Sequence, residues 1–121
     1  MRTFVESRAF TARVREFLDD QAYRAFQSTL VSDPKVGEVM KGCGGLRKVR
    51  TEDVARGKGK RSGARVIYLD IPEADRIDLI AIYGKHEKDD LTAQQKRVLA
   101  ALARQAKAES LTGVKKGRRK S

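Results

Sequence analysis

The chain has 121 residues, enough for one domain with a modest core, and 40% of them are hydrophobic, which argues against wholesale disorder. Its 27 Lys and Arg against 16 Asp and Glu give a net charge of +11, which favours a polyanionic partner such as nucleic acid. A single cysteine excludes an internal disulfide and favours a reducing cytoplasm, and no apolar run reaches the roughly 20 residues that a membrane span requires.

The first predicted elements are a strand over Arg2–Glu6, with Phe4 directed inward, and a helix that follows it. The helix is indicated by apolar residues that recur at helical spacing and form one stripe: Phe10, Val14, Phe17 and Leu18. Ser7 or Thr11 is predicted to cap this helix, because a side-chain oxygen there accepts from backbone N–H groups that lack a helical partner.

A second helix is predicted to start at Asp19 and Asp20, since acidic residues suit the positive end of the helix dipole. Tyr23, Phe26 and Leu30 form its apolar stripe, and Asp33 followed by Pro34 ends it. Two short helices joined this closely indicate a helical hairpin that packs on a sheet.

Three further strands are predicted after the glycine-rich turn Gly42–Gly45: Leu46–Arg50, Ala64–Ile71 and Arg76–Tyr83. The turn after the third strand has the length of an ordinary hairpin connection. The long loop Thr51–Gly63, which joins the second and third strands, is rich in Gly, Lys and Arg. Beside a rigid strand, such a loop can direct cations at an anionic ligand.

A final helix is predicted from Leu91 and Thr92 onward, with Leu91, Val98, Leu99 and Leu102 available for burial. From Gly113 the sequence has no apolar face and predicts disorder. We therefore expect a domain over residues 1–110 and a basic disordered tail over 111–121. The fold class is α+β: a mainly antiparallel four-stranded sheet with two amino-terminal helices packed on it and a carboxy-terminal helix.

Several runs of the sequence resemble the RelE/HigB superfamily of toxins from type II toxin–antitoxin systems, and its HigB-like branch most. The runs are FVES…FTARVREFLDD, GGLRKVR, RGKGKRSGARVIYL and LIAIYGKHEKDDLT. The resemblance implies a RelE-like fold and a ribosome-dependent endoribonuclease, or mRNA interferase, which cleaves translated mRNA and inhibits translation. It also implies a cognate antitoxin, expected to be a helix-turn-helix protein encoded nearby, and contacts with ribosomal RNA, with no cofactor, metal or membrane.

By the same resemblance, cations from different strands surround the phosphate that is cleaved. Arg65 matches the arginine that grips the scissile phosphate, and its planar fork suits two phosphate oxygens. The remaining candidates for catalysis are Lys48, Arg50, Lys85 and His86. The candidates for RNA or phosphate binding are Arg47, Lys58, Lys60, Arg61, Tyr83 and Lys88.

The sequence departs from this family in one region. Known members carry an arginine where His86 aligns, and a tyrosine a few residues later that this chain lacks. The general acid and the general base therefore stay unassigned among these residues. Two other functions stay open: a non-catalytic RNA- or DNA-binding module, suggested by the net charge, and a degenerate toxin retained as an antitoxin partner. The basic tail is equally compatible with an RNA anchor and with disorder that has no function.

Overall fold

The computed structural model describes residues 2–54, 63–87 and 91–120, and its central element is a five-stranded sheet. The strands are β1 (Thr3–Glu6), β2 (Glu38–Val39), β3 (Arg47–Arg50), β4 (Arg65–Ile71) and β5 (Arg76–Tyr83). Their order across the sheet is β1-β5-β4-β3-β2. Strand β1 runs parallel to β5, and the other neighbouring strands are antiparallel.

Four helices connect or flank these strands: α1 (Arg8–Phe17), α2 (Asp20–Ser32), the single turn α3 (Thr51–Val54) and α4 (Ala93–Lys120). The first two helices have side-chain caps. Ser7 accepts from the backbone N–H of Phe10 at 3.0 Å, and Asp19 accepts from that of Ala22 at 2.7 Å. Of the candidates predicted from the sequence, Ser7 rather than Thr11 caps α1, and Asp19 rather than Asp20 caps α2.

The sheet separates two apolar layers, because side chains alternate between its faces along each strand. Helices α1 and α2 cover one face, where the buried residues include Phe10, Phe26, Val66, Tyr68 and Leu79. Helix α4 covers the other face, which we call the α4 face, where Leu46, Ile67, Leu69, Ile71 and Ala103 are buried. Cys43 is buried in this second layer, as expected for a structural residue.

A β-bulge interrupts the pairing of β4 with β5. Ile67 pairs with Ala81 but Tyr68 pairs with Leu79, which leaves Ile80 as an extra residue in β5. Its carbonyl accepts a hydrogen bond from the Ser7 hydroxyl at 2.6 Å. Before the bulge Leu79 packs on the helical hairpin, and after it Ala81 and Tyr83 pack on the α4 face.

The sheet differs from the predicted one in two respects. It has five strands rather than four, because Glu38–Val39 adds an edge strand that is too short to show an alternating pattern. The sheet is also mixed, since β1 pairs parallel with β5. The predicted strands near Arg2–Glu6, Leu46–Arg50, Ala64–Ile71 and Arg76–Tyr83 are confirmed to within one residue at each end.

One prediction about the rest of the chain is wrong: the loop predicted at Thr51 begins instead with the helical turn α3. Helix α4 extends to Lys120, and the division into a domain over 1–110 and a basic tail over 111–121 stays a prediction. Lysine and arginine have good helix propensity and extend a helix that is already formed, at a cost of about 1 kcal/mol for each glycine.

The burial predicted for the last helix is also only partly correct. Val98 and Leu102 are 55% and 44% exposed, whereas Leu99 is partly buried and Ala103 fully buried. The helix therefore contacts the sheet through small residues, which let its backbone approach closely. At the turn Gly42–Gly45 a Cβ added to Gly44 would lie 3.0 Å from that of Ala103, so the turn and the helix are in close contact.

Candidate nucleic-acid site on the α4 face

Three predicted site residues lie side by side across three adjacent strands. Arg50 pairs with Arg65, and Arg65 pairs with Tyr83, so their side chains leave the same face of the sheet at neighbouring positions. Opposite residues on paired strands have Cβ atoms about 5 Å apart. We call Arg50, Arg65 and Tyr83 the cross-strand row. It brings two cations and one aromatic ring to one spot on the α4 face.

Lys48 lies beside this row. It is two residues from Arg50 on β3, pairs with Ile67, and therefore shares the α4 face with Arg50 and Arg65. Lys48 and Arg65 are thus on one side of the molecule, as a shared phosphate site requires. The alternation of β3 and β4 produces this placement, since Val49 and Val66 are buried in the opposite layer, against the helical hairpin.

Arg65 is held by a side chain of α3 and by the backbone just before β4. Its Nη1 donates to the carbonyl of Gly63 at 2.8 Å and lies 3.5 Å from Oε1 of Glu52. Its side chain is 20% exposed, so the guanidinium is oriented by the protein and still reaches solvent. Glu52 was missed by sequence reasoning, although it is one of only two acids between Leu46 and Arg65.

Lys85 and His86 lie in a turn that directly follows β5 and are both exposed. The turn is tied to α1: Glu87 accepts from the backbone N–H of Gly84 at 2.6 Å and pairs with Arg13 at 3.0 Å. Arg13 also lies over the ring of Phe17, 5.2 Å from its centroid, so a cation–π contact adds to the ion pair. Because Arg13 hydrogen-bonds Glu87, the pKa of that carboxyl is lowered.

The side chain of Lys85 extends from this turn towards the region of Arg65. A Cβ placed on Gly63 would lie 2.5 Å from Cδ of Lys85, so the stem of Lys85 packs on the glycine that precedes the start of β4. Gly63 has a φ of +88°, which favours glycine for its backbone as well. The turn thus joins the Arg65 region, and the sequence gives no signal of the Arg13–Glu87 contact that holds it.

Tyr83 lines a cleft of about 600 Å³ between the sheet and the start of α4. The other lining residues are mainly apolar or amide side chains, among them Ile67, Leu91, Val98 and Gln95. An aromatic ring beside an apolar cleft of this size suits a stacked nucleobase.

Some predicted residues are not part of this cluster. Arg47 lies on the opposite face, opposite Tyr68, and donates to the carbonyls of Gly37 at 2.7 Å and Lys35 at 3.3 Å. These hydrogen bonds attach the segment after α2 to β3, so the observed contacts of Arg47 are structural. Four predicted cations lie outside the described residues: Lys58, Lys60, Arg61 and Lys88.

No protein-family model matches the chain. Among solved structures, the chain is similar to one in the crystal structure of the intact E. coli RelBE toxin–antitoxin complex. The two share 18% identity with a TM-score of 0.49, and the match covers 73% of this chain and 100% of that one. A likeness at this level assigns neither a family nor an activity to the present chain.

Within the described part of the chain, none of the helices is long and apolar enough to cross a membrane. The long helix α4 carries charged residues throughout its length.

Proposed function

We propose that this protein is the toxin of a type II toxin–antitoxin system, a ribosome-dependent endoribonuclease of the RelE/HigB kind that cleaves translated mRNA in the cytoplasm. The observation that carries the proposal is the cross-strand row with Lys48 beside it. Like charges directly opposite one another on paired strands destabilise a sheet. Arg50 and Arg65 occupy such positions. Glu52 offsets part of this repulsion at Arg65, and a phosphate shared by the two guanidinium groups would offset more of it.

The cluster is suited to in-line attack of a ribose 2′-OH on its own phosphate. The bond between the 2′ oxygen and phosphorus forms while the bond from phosphorus to the 5′ oxygen breaks, giving a 2′,3′-cyclic phosphate and a 5′-OH. A base takes the 2′ proton, and an acid protonates the 5′ oxygen. Arg65 and Arg50 stabilise the charge that develops on the phosphoryl oxygens.

The proton-transfer groups are assigned to the turn and to β3. Lys85 and His86 lie at the side of the row where Arg65 is held, and either side chain donates a proton when charged. On β3, Lys48 lies beside Arg50 and Arg65 on the same face and is the proposed acceptor of the 2′ proton. Tyr83 stacks on a base next to the scissile linkage. No metal enters this scheme, since the cations supply the electrostatic stabilisation.

Replacing Arg65 tests the proposal. In a reconstituted translation reaction we expect the wild-type protein to cleave ribosome-bound mRNA and R65A to cleave it about 100-fold more slowly or less, since an electrostatic donor to the transition state is lost. Cells in which R65A is induced should also continue to grow, whereas induction of the wild type should arrest growth. The matched control is R24A, an exposed arginine of α2 on the other side of the sheet, which should retain full activity.

Two other functions predict different results. A non-catalytic nucleic-acid-binding module, which the net charge favours, gives salt-sensitive RNA binding by the wild type without cleavage products. A degenerate toxin binds its antitoxin but neither cleaves mRNA nor arrests growth. Intact mRNA in the reaction with a folded wild-type protein would therefore overturn the proposed activity.

The proposed partners follow from the same assignment. The ribosome presents the mRNA, and the basic surface contacts rRNA phosphates there. A cognate antitoxin neutralises the toxin. The gene next to this one should encode a short helix-turn-helix protein, and copurification of the two products checks this point.

A further inference from the structure

A second cleft, of about 510 Å³, lies on the Lys48 side of the cross-strand row. Three lysines from three separate elements line it: Lys41 from the segment after β2, Lys48 from β3 and Lys96 from the first turn of α4. Only Lys48 belongs to the site described above. Lysines that converge from separate elements on one concave region form a positive site for a compact anion.

This cleft adjoins the cleft of Tyr83. Leu91, at the start of the last helical region, lines both of them. An apolar cleft with an aromatic ring suits a nucleobase, whereas a cleft with several ammonium groups suits a phosphate. The two clefts, joined at Leu91, thus match the alternation of base and phosphate along single-stranded nucleic acid.

We propose that the cleft lined by Lys41, Lys48 and Lys96 binds a backbone phosphate of single-stranded RNA, next to the linkage that the cross-strand row holds. The inference rests on the proposed function and extends it, because it assigns Lys41 and Lys96 to substrate binding. It also gives the RNA a direction across the α4 face: from the base on Tyr83, over Leu91, to the three lysines. Lysine acts in such a site as a point charge with freely rotating donors.

Glu38 provides a test in which RNA affinity should rise rather than fall. It also lines the cleft, and it pairs directly with Lys48 in the register of β2 and β3. Opposite charges at such positions attract each other. The same carboxylate repels an incoming phosphate. Removing its charge should therefore strengthen RNA binding, and loss of folding cannot imitate a gain of affinity.

The test uses the full-length protein and a fluorescent 2′-O-methyl RNA hexanucleotide, which binds but cannot be cleaved at its 2′ positions. Binding is measured by fluorescence anisotropy at several salt concentrations for the wild type, K41A, K96A and E38Q. We expect K41A and K96A each to raise Kd by about two- to fivefold. Each should also reduce the slope of log K against log salt by about 0.7. E38Q should lower Kd.

The matched control is K35A, which removes an exposed lysine from the segment after α2, on the opposite side of the sheet. It lowers the net charge as much as the two test variants do, so it measures the effect of charge alone. Equal Kd values for K35A, K41A and K96A would overturn the phosphate site, as would a wild type that does not bind the hexanucleotide at low salt. If an oligoglutamate peptide displaces the labelled RNA at a much lower concentration than unlabelled RNA does, the cleft is assigned to an acidic protein segment instead.

The proposed activity is judged separately, by mRNA cleavage in the translation reaction. Cleavage by the wild type with equal binding of K35A, K41A and K96A leaves the endoribonuclease standing and overturns the phosphate site. The expected binding pattern without any cleavage keeps the phosphate site and overturns the endoribonuclease.

Discussion

Arg50 and Arg65 repel each other in the free protein, and the structure reduces that repulsion with nearby acceptors. Glu52 lies 3.5 Å from the Arg65 guanidinium, and the Gly63 carbonyl accepts from it at 2.8 Å. These groups hold one arginine in place before any ligand arrives. In the proposed reaction, a phosphate bound between the two arginines would offset their repulsion. Orientation in advance of binding is what phosphoryl transfer demands of such a group.

A substitution of the single residue Gly63 tests the position of Lys85. G63A introduces a side chain at a φ of +88° and brings its Cβ within 2.5 Å of Cδ of Lys85. We expect an unfolding free energy lower by about 1–3 kcal/mol from the backbone alone, and slower mRNA cleavage because Lys85 is displaced. Urea unfolding and the translation reaction measure the two effects.

Its control is G42A. Gly42 has a similar φ of +76°, but nothing lies within 4 Å of the added Cβ. This variant should lose comparable stability and keep its cleavage rate. Equal cleavage by the two variants would show that the position of Lys85 does not matter for the reaction.

Among the elements, the turn that carries Lys85 and His86 depends on a helix far away in the chain. Arg13 of α1 pairs with Glu87, which in turn accepts from Gly84 at 2.6 Å. R13A should release the turn and lower the urea midpoint at pH 7. Resonances of His86, the only histidine of the chain, should shift in the NMR spectrum of the variant. The control is R15A, whose ion pair with Asp20 is largely exposed and should contribute little.

The same contact predicts a pH dependence. Arg13 lowers the pKa of Glu87 below its usual 4.5 in the folded protein. A carboxyl with a depressed pKa stabilises the fold at pH values above its unfolded pKa, and the stabilisation disappears as the pH falls through the folded value. The difference in stability between the wild type and R13A should therefore be present at pH 7 and decrease as the pH falls below 4.5. A difference that is unchanged at pH 3 would assign the effect of R13A to packing on Phe17.

A comparison of the predicted helices and strands with the observed ones shows which parts of the fold the sequence predicts. Alternation and helical spacing predicted both amino-terminal helices, their caps and four strands, since each pattern is local. They missed Glu38–Val39, which is too short for a pattern, and the parallel pairing of β1, which depends on contacts distant in sequence. In the site, alternation correctly placed Lys48 with Arg50. The roles of Arg13, Glu52 and Glu87 were missed because they arise only from tertiary contacts.

At the scale of the whole molecule, basic residues are concentrated at the carboxy-terminal end of the chain. The carboxy-terminal end of the chain carries five of the basic residues and no acid: Lys115, Lys116, Arg118, Arg119 and Lys120. Deleting residues 112–121 lowers the net charge from +11 to +6. We expect the deletion to weaken RNA binding at low salt and to flatten its salt dependence, because fewer counterions are released. Filter binding over a salt series measures both.

A full-length variant with glutamine at these five positions is the control. It removes the charge and keeps the length of the chain. If charge is what matters, both variants lose the same affinity, and both match the wild type at high salt. Unchanged binding of the deletion at low salt would assign the segment no part in RNA binding.

The extra residue Ile80 determines which side of the sheet Tyr83 occupies. Leu79 packs on the helical hairpin, and strict alternation from there would direct Tyr83 to that same buried layer, away from Arg65. Because the bulge adds one position, Tyr83 emerges beside Arg65 instead. Which side chains form the site therefore depends on the number of residues in β5 as well as on their identity. Anyone who transplants these side chains onto a regular sheet must copy the insertion too, or the aromatic ring will end up inside the protein.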